Sequence, residues 1–361
     1  MRMGDSDRKM MEIFDPAEAI EWQARHAEKA GAPITARVVR SLLALLQGET
    51  VTGRRIAGWH GLSLEDALPL RVAGGLHFLH LSGEEPRLAP LYEGLLTDQG
   101  QVDALICQVA ERHDHTLLPW LDHPPQTNEA GRSASFMAAL LWLSGRLGPQ
   151  FELFEIGASA GINTMMGRYH YDLGGVTVGP SLSRMHIVPD WQGDPPPAGE
   201  VQITRISGCD IAPVDLADPD AALRLKAYIW PDMSERMARL DTAIAMAERA
   251  APDLVRADAL AFLQEQLALP QEAGTTRALM HSIMWQYLPP ATRDAIALAM
   301  EQAGAAASAE KPLAWISLET NRATFRHELT VRYWPGGEEP KLLAEAHPHG
   351  AWVRWLDGAQ G

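Results

Sequence analysis

Acidic side chains occur at the ends of three predicted strands. Glu155 lies near the end of the run FELFEI (151–156), Asp210 follows Gly208 after the second predicted strand, and Asp258 follows the third. In an open α/β sheet the ligand site lies beyond the carboxyl ends of the strands, so we expect these carboxylates to share one edge. Carboxylates accept hydrogen bonds from ribose hydroxyls and from an adenine amino group. The pattern predicts a site for a nucleoside-bearing ligand.

The first predicted strand runs directly into GASAG (157–161), a turn of small residues that lets a ligand approach the backbone. The dinucleotide fingerprint GxGxxG requires glycine where this chain has Ser159 and Ile162, and a carboxylate-rich edge opposes a pyrophosphate. A nucleoside that carries a positive charge and no phosphate fits better. S-adenosylmethionine is such a ligand, and we expect it as the cofactor.

The fourth predicted strand, RALMHSI (277–283), places two further residues at the same edge. A histidine can act as a general base near neutral pH, so we predict His281 and Tyr287 as catalytic residues that face a methyl acceptor. The alternative for His281 is a structural role in which its hydrogen bonds are satisfied by the protein. Methyl transfer also proceeds without a base when donor and acceptor are held in line.

The segment QTNEAGR (126–132) precedes the glycine turn. Thr127 or Asn128 can cap the helix that follows, and Asn128 could instead close over the amino-acid end of the ligand. The residues predicted to bind the cofactor are Glu155, Gly157, Ala158, Ser159, Gly161, Asp210, Asp258 and Asn128.

Structural roles remain open for the same acids. Asp210 and Asp258 could each cap the helix that follows, and Glu155 could pair with Arg132 or Arg168. Each of these roles would leave the edge without a ligand.

The turn also matches GxSxG, the nucleophile elbow of α/β-hydrolases, with Ser159 as nucleophile. Asp258 followed by His281, His347 or His349 satisfies the chain order of such enzymes. A nucleophile elbow normally follows several strands, whereas the chain before residue 151 has helical periodicity, which argues against this alternative.

The predicted elements divide the chain into a helical cap region, 1–127, and an α/β domain, 128–361. Short strands alternating with long helical stretches indicate a doubly wound, mostly parallel sheet, and the last predicted strands form an antiparallel hairpin. The segment 168–200 is predicted to be an irregular insertion. The predicted strands are 151–156, 201–206, 253–257, 277–283, 313–319, 327–334 and 341–355, and the long helical stretches between them are 221–251 and 290–304.

Composition excludes several classes of protein. The 361 residues are 46% apolar and carry a net charge of −15, so we expect a globular protein that binds neither nucleic acid nor anionic membrane. Two cysteines supply neither a disulfide framework nor a four-thiolate zinc site, and we expect no metal and a cytoplasmic location. The longest apolar run, 136–143, is far shorter than the ~20 residues of a membrane span.

The strand-end pattern over about 128–356 resembles the class I S-adenosylmethionine-dependent methyltransferases. This resemblance implies a Rossmann-like methyltransferase fold and methylation of a small-molecule acceptor; the alternative is a nucleoside-binding or protein-interaction module on the same fold. A second and closer resemblance is carried by the segments QTNEAGR (126–132), EIGASAGIN (155–163), RYHYD (168–172), GCDIAPVDL (208–216), YIWPDMSERMARLDTAIAMA (228–247), HSIMWQYLP (281–289) and WPGG (334–337). Through these segments nearly the whole chain is similar to the bacterial family of domains of unknown function DUF2332, which is grouped with methyltransferase-like folds.

Overall fold

Residues 13–126 and 128–357 are described by a computed structural model. The chain divides into two compact units, and each is described by itself. One contains the residues before 128 together with 218–238, and the other contains 128–217 and the residues from 239 onward. The segment 218–238, which the sequence analysis assigned to the α/β domain, therefore folds with the helical unit.

Helices begin where local chemistry favours them. Asp15 accepts a hydrogen bond from the backbone N–H of Glu18 (2.9 Å), and Pro16 occupies the first helical position. The α-helices of the described residues are α1 (Pro16–Lys29), α2 (Pro33–Leu45), α3 (Val51–Ala57), α4 (Leu68–Leu81), α5 (Ala89–Tyr92), α6 (Gln99–Arg112), α7 (Asp114–Leu117), α8 (Ser133–Leu147), α9 (Pro219–Ala227), α10 (Ser234–Arg249), α11 (Ala259–Ala268) and α12 (Pro290–Ala305). Short 3₁₀ helices span Pro86–Leu88, Leu118–Asp122, Ala130–Arg132, Asn163–Arg168 and Trp285–Tyr287. None of the helices in these ranges is long and apolar enough to cross a membrane.

The helical unit buries one large apolar cluster. Leu42 of α2, Leu76 of α4 and Ile106 of α6 are fully buried within it. The single helix predicted over 221–251 is wrong, because the chain leaves the helical conformation between α9 and α10. Pro231 lies in this break, where the missing N–H of proline opposes a continuous helix.

The break places Asp232 at the start of α2. Its carboxylate accepts hydrogen bonds from the backbone N–H of Ile34 (2.9 Å) and Thr35 (2.9 Å) and from the Thr35 hydroxyl (2.7 Å). The adjoining cap residue, Ala32, makes no side-chain cap bond of its own. Asp232 therefore caps α2 from a distant part of the chain.

We expect Asp232→Ala to lower the free energy of unfolding of the helical unit by about 2–3 kcal/mol, because three hydrogen bonds to a carboxylate are lost. Asp15→Ala removes a single cap bond and serves as the matched control, with an expected cost of about 1 kcal/mol. Urea unfolding followed by circular dichroism measures both variants. Equal costs for the two variants would contradict the capping role of Asp232.

The α/β unit contains a nine-stranded sheet in the order β5-β12-β11-β10-β9-β8-β1-β6-β7 and a three-stranded sheet in the order β3-β2-β4. Five of the eight pairings in the large sheet are parallel, which confirms the predicted α/β class with a mostly parallel sheet. The strands are β1 (Gln150–Ile156), β2 (His170–Leu173), β3 (Val176–Val178), β4 (His186–Ile187), β5 (Asp190–Gln192), β6 (Gln202–Asp210), β7 (Leu254–Arg256), β8 (Thr275–Ser282), β9 (Leu313–Thr320), β10 (His327–Trp334), β11 (Gly337–Ala346) and β12 (Trp352–Trp355).

The parallel strands lie side by side in the order β7-β6-β1-β8-β9. After β1 the chain adds β6 and β7 on one side of it, and then β8 and β9 on the other side. Such a reversal between β1 and β8 is a topological switch point, where open α/β sheets bind ligands. Helices cover both faces. On one face, Phe154 packs in the apolar cluster that includes residues of α11 and α12. On the opposite face, the ring of Trp142 of α8 packs edge-to-face against the ring of Tyr333, with the ring centroids 5.9 Å apart.

Two predicted elements differ from the structure in the α/β unit. The last strand, predicted over 341–355, is two strands, because the chain turns at His347–Gly350, where Gly350 has φ +71°. The predicted irregular insertion contains the small sheet and β5, which pairs in parallel with β12 at the edge of the large sheet.

Candidate functional site

The glycine turn after β1 has a backbone that only certain residues adopt. Gly157, Ser159 and Gly161 all have positive φ values, +67°, +53° and +70°. Glycine adopts this region at no steric cost, whereas serine does so uncommonly. The N–H of Ala158, which is 4% exposed, donates to the Cys209 carbonyl oxygen of β6 (2.9 Å), so the neighbouring strand holds the turn in place.

Asp210 at the end of β6 binds this turn with both carboxylate oxygens. Its Oδ2 accepts from the backbone N–H of Ser159 (2.9 Å), and its Oδ1 accepts from the N–H of Ala212 (2.9 Å). The side chain thus has a structural role, although it joins the turn to β6 instead of capping a helix. Each carboxylate oxygen can accept a second hydrogen bond, so Asp210, which is half-buried, retains capacity for a ligand.

Asp258 is the N-cap of α11, as the structural alternative predicted. Its Oδ1 accepts from the backbone N–H groups of Leu260 (2.9 Å) and Ala261 (3.2 Å). The residue is exposed. Capping by one oxygen leaves Oδ2 available at the edge of the sheet.

Glu155 is buried, at 1% exposure, on the face of β1 opposite Phe154. The Asn163 side-chain amide donates to its Oε1 (2.8 Å). Burial raises the pKa of this carboxyl to about 8, and the nearby negative charge of Asp210 also raises it, while Asn163 and Arg132 lower it. At neutral pH Glu155 is therefore mainly protonated, which differs from the ionised acid that the sequence analysis assumed.

Three buried side-chain oxygens around the turn have no hydrogen-bond partner. They are Glu155 Oε2, Ser159 Oγ and Asn163 Oδ1. Buried polar groups in folded proteins are almost always bonded, so each of these atoms is available to a ligand or to water. The sequence analysis did not single out Asn163, although a polar residue two positions after a glycine turn could have marked it.

Ser159 does not have the surroundings of a nucleophile. Its hydroxyl is buried without a partner, so no histidine in the described part of the chain is bonded to it. A serine nucleophile requires a base within hydrogen-bond reach. The hydrolase alternative has no support from these contacts.

His281 near the end of β8 is 2% exposed, and both of its ring nitrogens are bonded to the protein. Nδ1 lies 2.7 Å from Glu319 Oε1, and the Trp315 indole N–H donates to Nε2 (2.9 Å). Because Nε2 accepts, Nδ1 carries the proton and donates to Glu319. No nitrogen remains to take a proton from an acceptor, so His281 does not fit the predicted role of general base.

Tyr287 lies in the 3₁₀ helix Trp285–Tyr287 and is 68% exposed, and its role toward an acceptor stays a prediction. Glu319 is the residue at this edge that the sequence analysis missed. It lies near the end of β9, and applying the strand-end rule to the predicted strand 313–319 would have found it.

Asn128 is half-buried, and Thr127, the alternative cap, lies outside the described residues. The observed cap of the 3₁₀ helix Ala130–Arg132 is Glu129, whose Oε1 accepts from the Gly131 N–H (3.1 Å) and from Arg239 Nε (2.8 Å). This arrangement positions Arg132, which donates from Nε to the Pro348 carbonyl oxygen (2.7 Å) and lowers the pKa of Glu155.

The family described as "Uncharacterized protein conserved in bacteria (DUF2332)" has a sequence model that matches residues 17–355. No curated protein matches the chain. No solved structure matches it either.

Proposed function

The chain belongs to the DUF2332 family, and we propose that it binds S-adenosylmethionine at the carboxyl edge of β1, β6 and β7 and methylates a small molecule. One observation carries the proposal. Three adjacent parallel strands each end beside a carboxylate, namely Glu155, Asp210 and Asp258, around a turn with left-handed backbone.

The hydrogen-bonding capacity of these residues fits an adenosyl ligand. Asp210 keeps one lone pair on each oxygen after its backbone bonds, which suits the two hydroxyls of a ribose. Asp258 keeps Oδ2, which suits an adenine amino group. Both acids are held by backbone bonds, so little side-chain freedom is lost on binding.

The amino-acid end of the ligand would meet the unpartnered oxygens Glu155 Oε2, Ser159 Oγ and Asn163 Oδ1. Ser159 Oγ and Asn163 Oδ1 can accept hydrogen bonds from an ammonium group, and Glu155 Oε2 can do so once its carboxyl has lost its proton. When bound, S-adenosylmethionine supplies an electrophilic methyl group on a sulfonium centre. The chain's own contribution is to bind and orient the donor, because positioning alone supplies several kcal/mol of such a barrier.

The acceptor is proposed to be a small molecule, without nucleic acid or membrane as partners. The net charge of −15 supports this, since it repels phosphate backbones and anionic lipid. The bonded nitrogens of His281 favour an acceptor that needs no base from this residue.

The test is calorimetry and thermal unfolding with S-adenosylhomocysteine. At 100 times its dissociation constant we expect about 2.7 kcal/mol of added stability, a rise in Tm of about 5 °C. NAD is the control ligand and should give no shift, because its pyrophosphate meets carboxylates. A folded protein with no shift in millimolar S-adenosylhomocysteine would contradict the proposal.

A second candidate is a nucleoside-binding module without catalysis, which the bonded state of His281 also favours. Calorimetry with adenosine, other nucleosides and S-adenosylhomocysteine separates the two. Tight binding of a nucleoside together with no binding of S-adenosylhomocysteine would support the second candidate.

A further inference from the structure

The segment Ile283–Tyr287 follows β8, and we call it the β8 loop; its residue Met284 lies against Gly157 of the glycine turn. A Cβ atom placed on Gly157 would lie 2.8 Å from Cγ, 2.9 Å from Cβ and 3.0 Å from Cε of Met284. The Met284 side chain therefore lies directly against the Gly157 backbone. This is the backbone that a ligand of the turn has to approach.

Glu319 holds the β8 loop in this position. Its Oε1 accepts from the backbone N–H groups of Met284 (3.2 Å) and Trp285 (3.3 Å), in addition to His281 Nδ1–H (2.7 Å). The two backbone bonds are at the long end of the normal range, and the histidine bond is short.

Other features of the β8 loop are compatible with a second conformation. Ile283 has φ +50°, an uncommon backbone for a β-branched residue. Tyr287 at the far end of the loop is 68% exposed. Methionine has three rotatable bonds and repacks readily, so Met284, which packs at the border of the cluster that contains Phe154, can adopt another rotamer.

We infer that the β8 loop is a gate over the ligand site: Met284 covers Gly157 when the gate is closed, and Glu319 is the positioning residue that holds it closed. This inference rests on the proposed function for the identity of the ligand. The contacts of the gate itself are independent of it. Ligand entry requires Met284 to move off Gly157.

The first test needs no ligand. Hydrogen exchange of the Met284 and Trp285 amides is compared in the wild type, Glu319→Ala and Glu319→Gln. We expect exchange at least tenfold faster in Glu319→Ala and nearly unchanged in Glu319→Gln, because glutamine keeps an acceptor oxygen. Amides within β9 should stay protected in all three. Unchanged protection of the loop in Glu319→Ala would overturn the gate.

The second test measures binding of S-adenosylhomocysteine by calorimetry and stopped flow. Met284→Ala removes the cover, so we expect an affinity several-fold higher and a faster association rate than in the wild type. Met284→Leu keeps the volume of the side chain and is the matched control, with wild-type values expected. A lower affinity in Met284→Ala would make Met284 a ligand contact and overturn the inference.

The two tests separate failure of the gate from failure of the proposed function. If the wild type and Met284→Ala both fail to bind S-adenosylhomocysteine, the proposed function is overturned. Hydrogen exchange in the Glu319 variants then tests the gate independently of any ligand.

Discussion

Replacing Asp210 with alanine is expected to weaken binding of S-adenosylhomocysteine at least 100-fold and to lower the free energy of unfolding by about 3 kcal/mol. Both effects have the same cause, because the carboxylate accepts the Ser159 and Ala212 N–H groups and is proposed to accept two ribose hydroxyls. Hydrogen bonds to a charged group contribute about 1.5–3 kcal/mol each. Calorimetry and urea unfolding measure the two quantities.

The control for Asp210→Ala is Asp218→Ala. Asp218 also accepts two backbone N–H groups, from Asp220 (2.9 Å) and Ala221 (3.4 Å), and it caps α9 in the helical unit. We expect this variant to lose stability without losing ligand affinity. Equal affinity in Asp210→Ala and Asp218→Ala would remove Asp210 from the proposed site.

Asp258 allows stability and binding to be separated. Only Oδ1 accepts the two cap bonds, and asparagine caps helices as well as aspartate does. Asp258→Asn keeps the cap and replaces the second oxygen with an amide donor. It should therefore lower the affinity without lowering stability, which no substitution of Asp210 can do.

Glu155→Gln is expected to abolish a large pH dependence of stability. The pKa of this carboxyl is about 8 in the folded protein, against an ordinary value of 4.5 in the unfolded chain. The folded protein binds the extra proton between these values, so the contribution of Glu155 is fully present below pH 4.5 and is lost as the pH rises through 8. At about 1.4 kcal/mol per pKa unit, the full change amounts to several kcal/mol.

Urea unfolding at pH 5.5 and pH 8.5, roughly the two ends of the pH range over which the contribution of Glu155 is lost, tests this prediction. We expect Glu155→Gln to be more stable than the wild type at the higher pH and similar to it at the lower pH. The control is Glu339→Gln, since Glu339 is exposed on β11. The idea fails if wild type and Glu155→Gln lose stability in parallel as the pH rises.

A cationic ligand adds a consequence for Glu155. Its positive charge favours the ionised carboxyl, so binding should release a proton below pH 8. Calorimetry in two buffers that differ in ionisation enthalpy measures the number of protons released when the ligand binds. An ionised Glu155 would give no such release, because an acid that is already charged has no proton to lose.

Local patterns in the sequence were sufficient to predict most of the helices and strands. Apolar residues at helical spacing predicted the helical character of the first unit, and short apolar runs predicted the parallel strands. The cap formed by Asp258 was one of the structural roles that the sequence left open. Local patterns failed where a distant contact decided the outcome. Pro231 marks the break between α9 and α10 locally, but the capping of α2 by Asp232, almost 200 residues away in the chain, is a tertiary contact that periodicity does not reveal.

The sequence by itself determined which residues stand at the carboxyl edge, because the order of strands and the residues that follow them are local properties of the chain. Glu155, the turn 157–161 and Asp210 are placed in this way. Only the tertiary structure decided what each side chain binds there. His281 meets Trp315 and Glu319, and Met284 covers Gly157, because strands far apart in sequence pack side by side and their side chains satisfy one another in the buried interior.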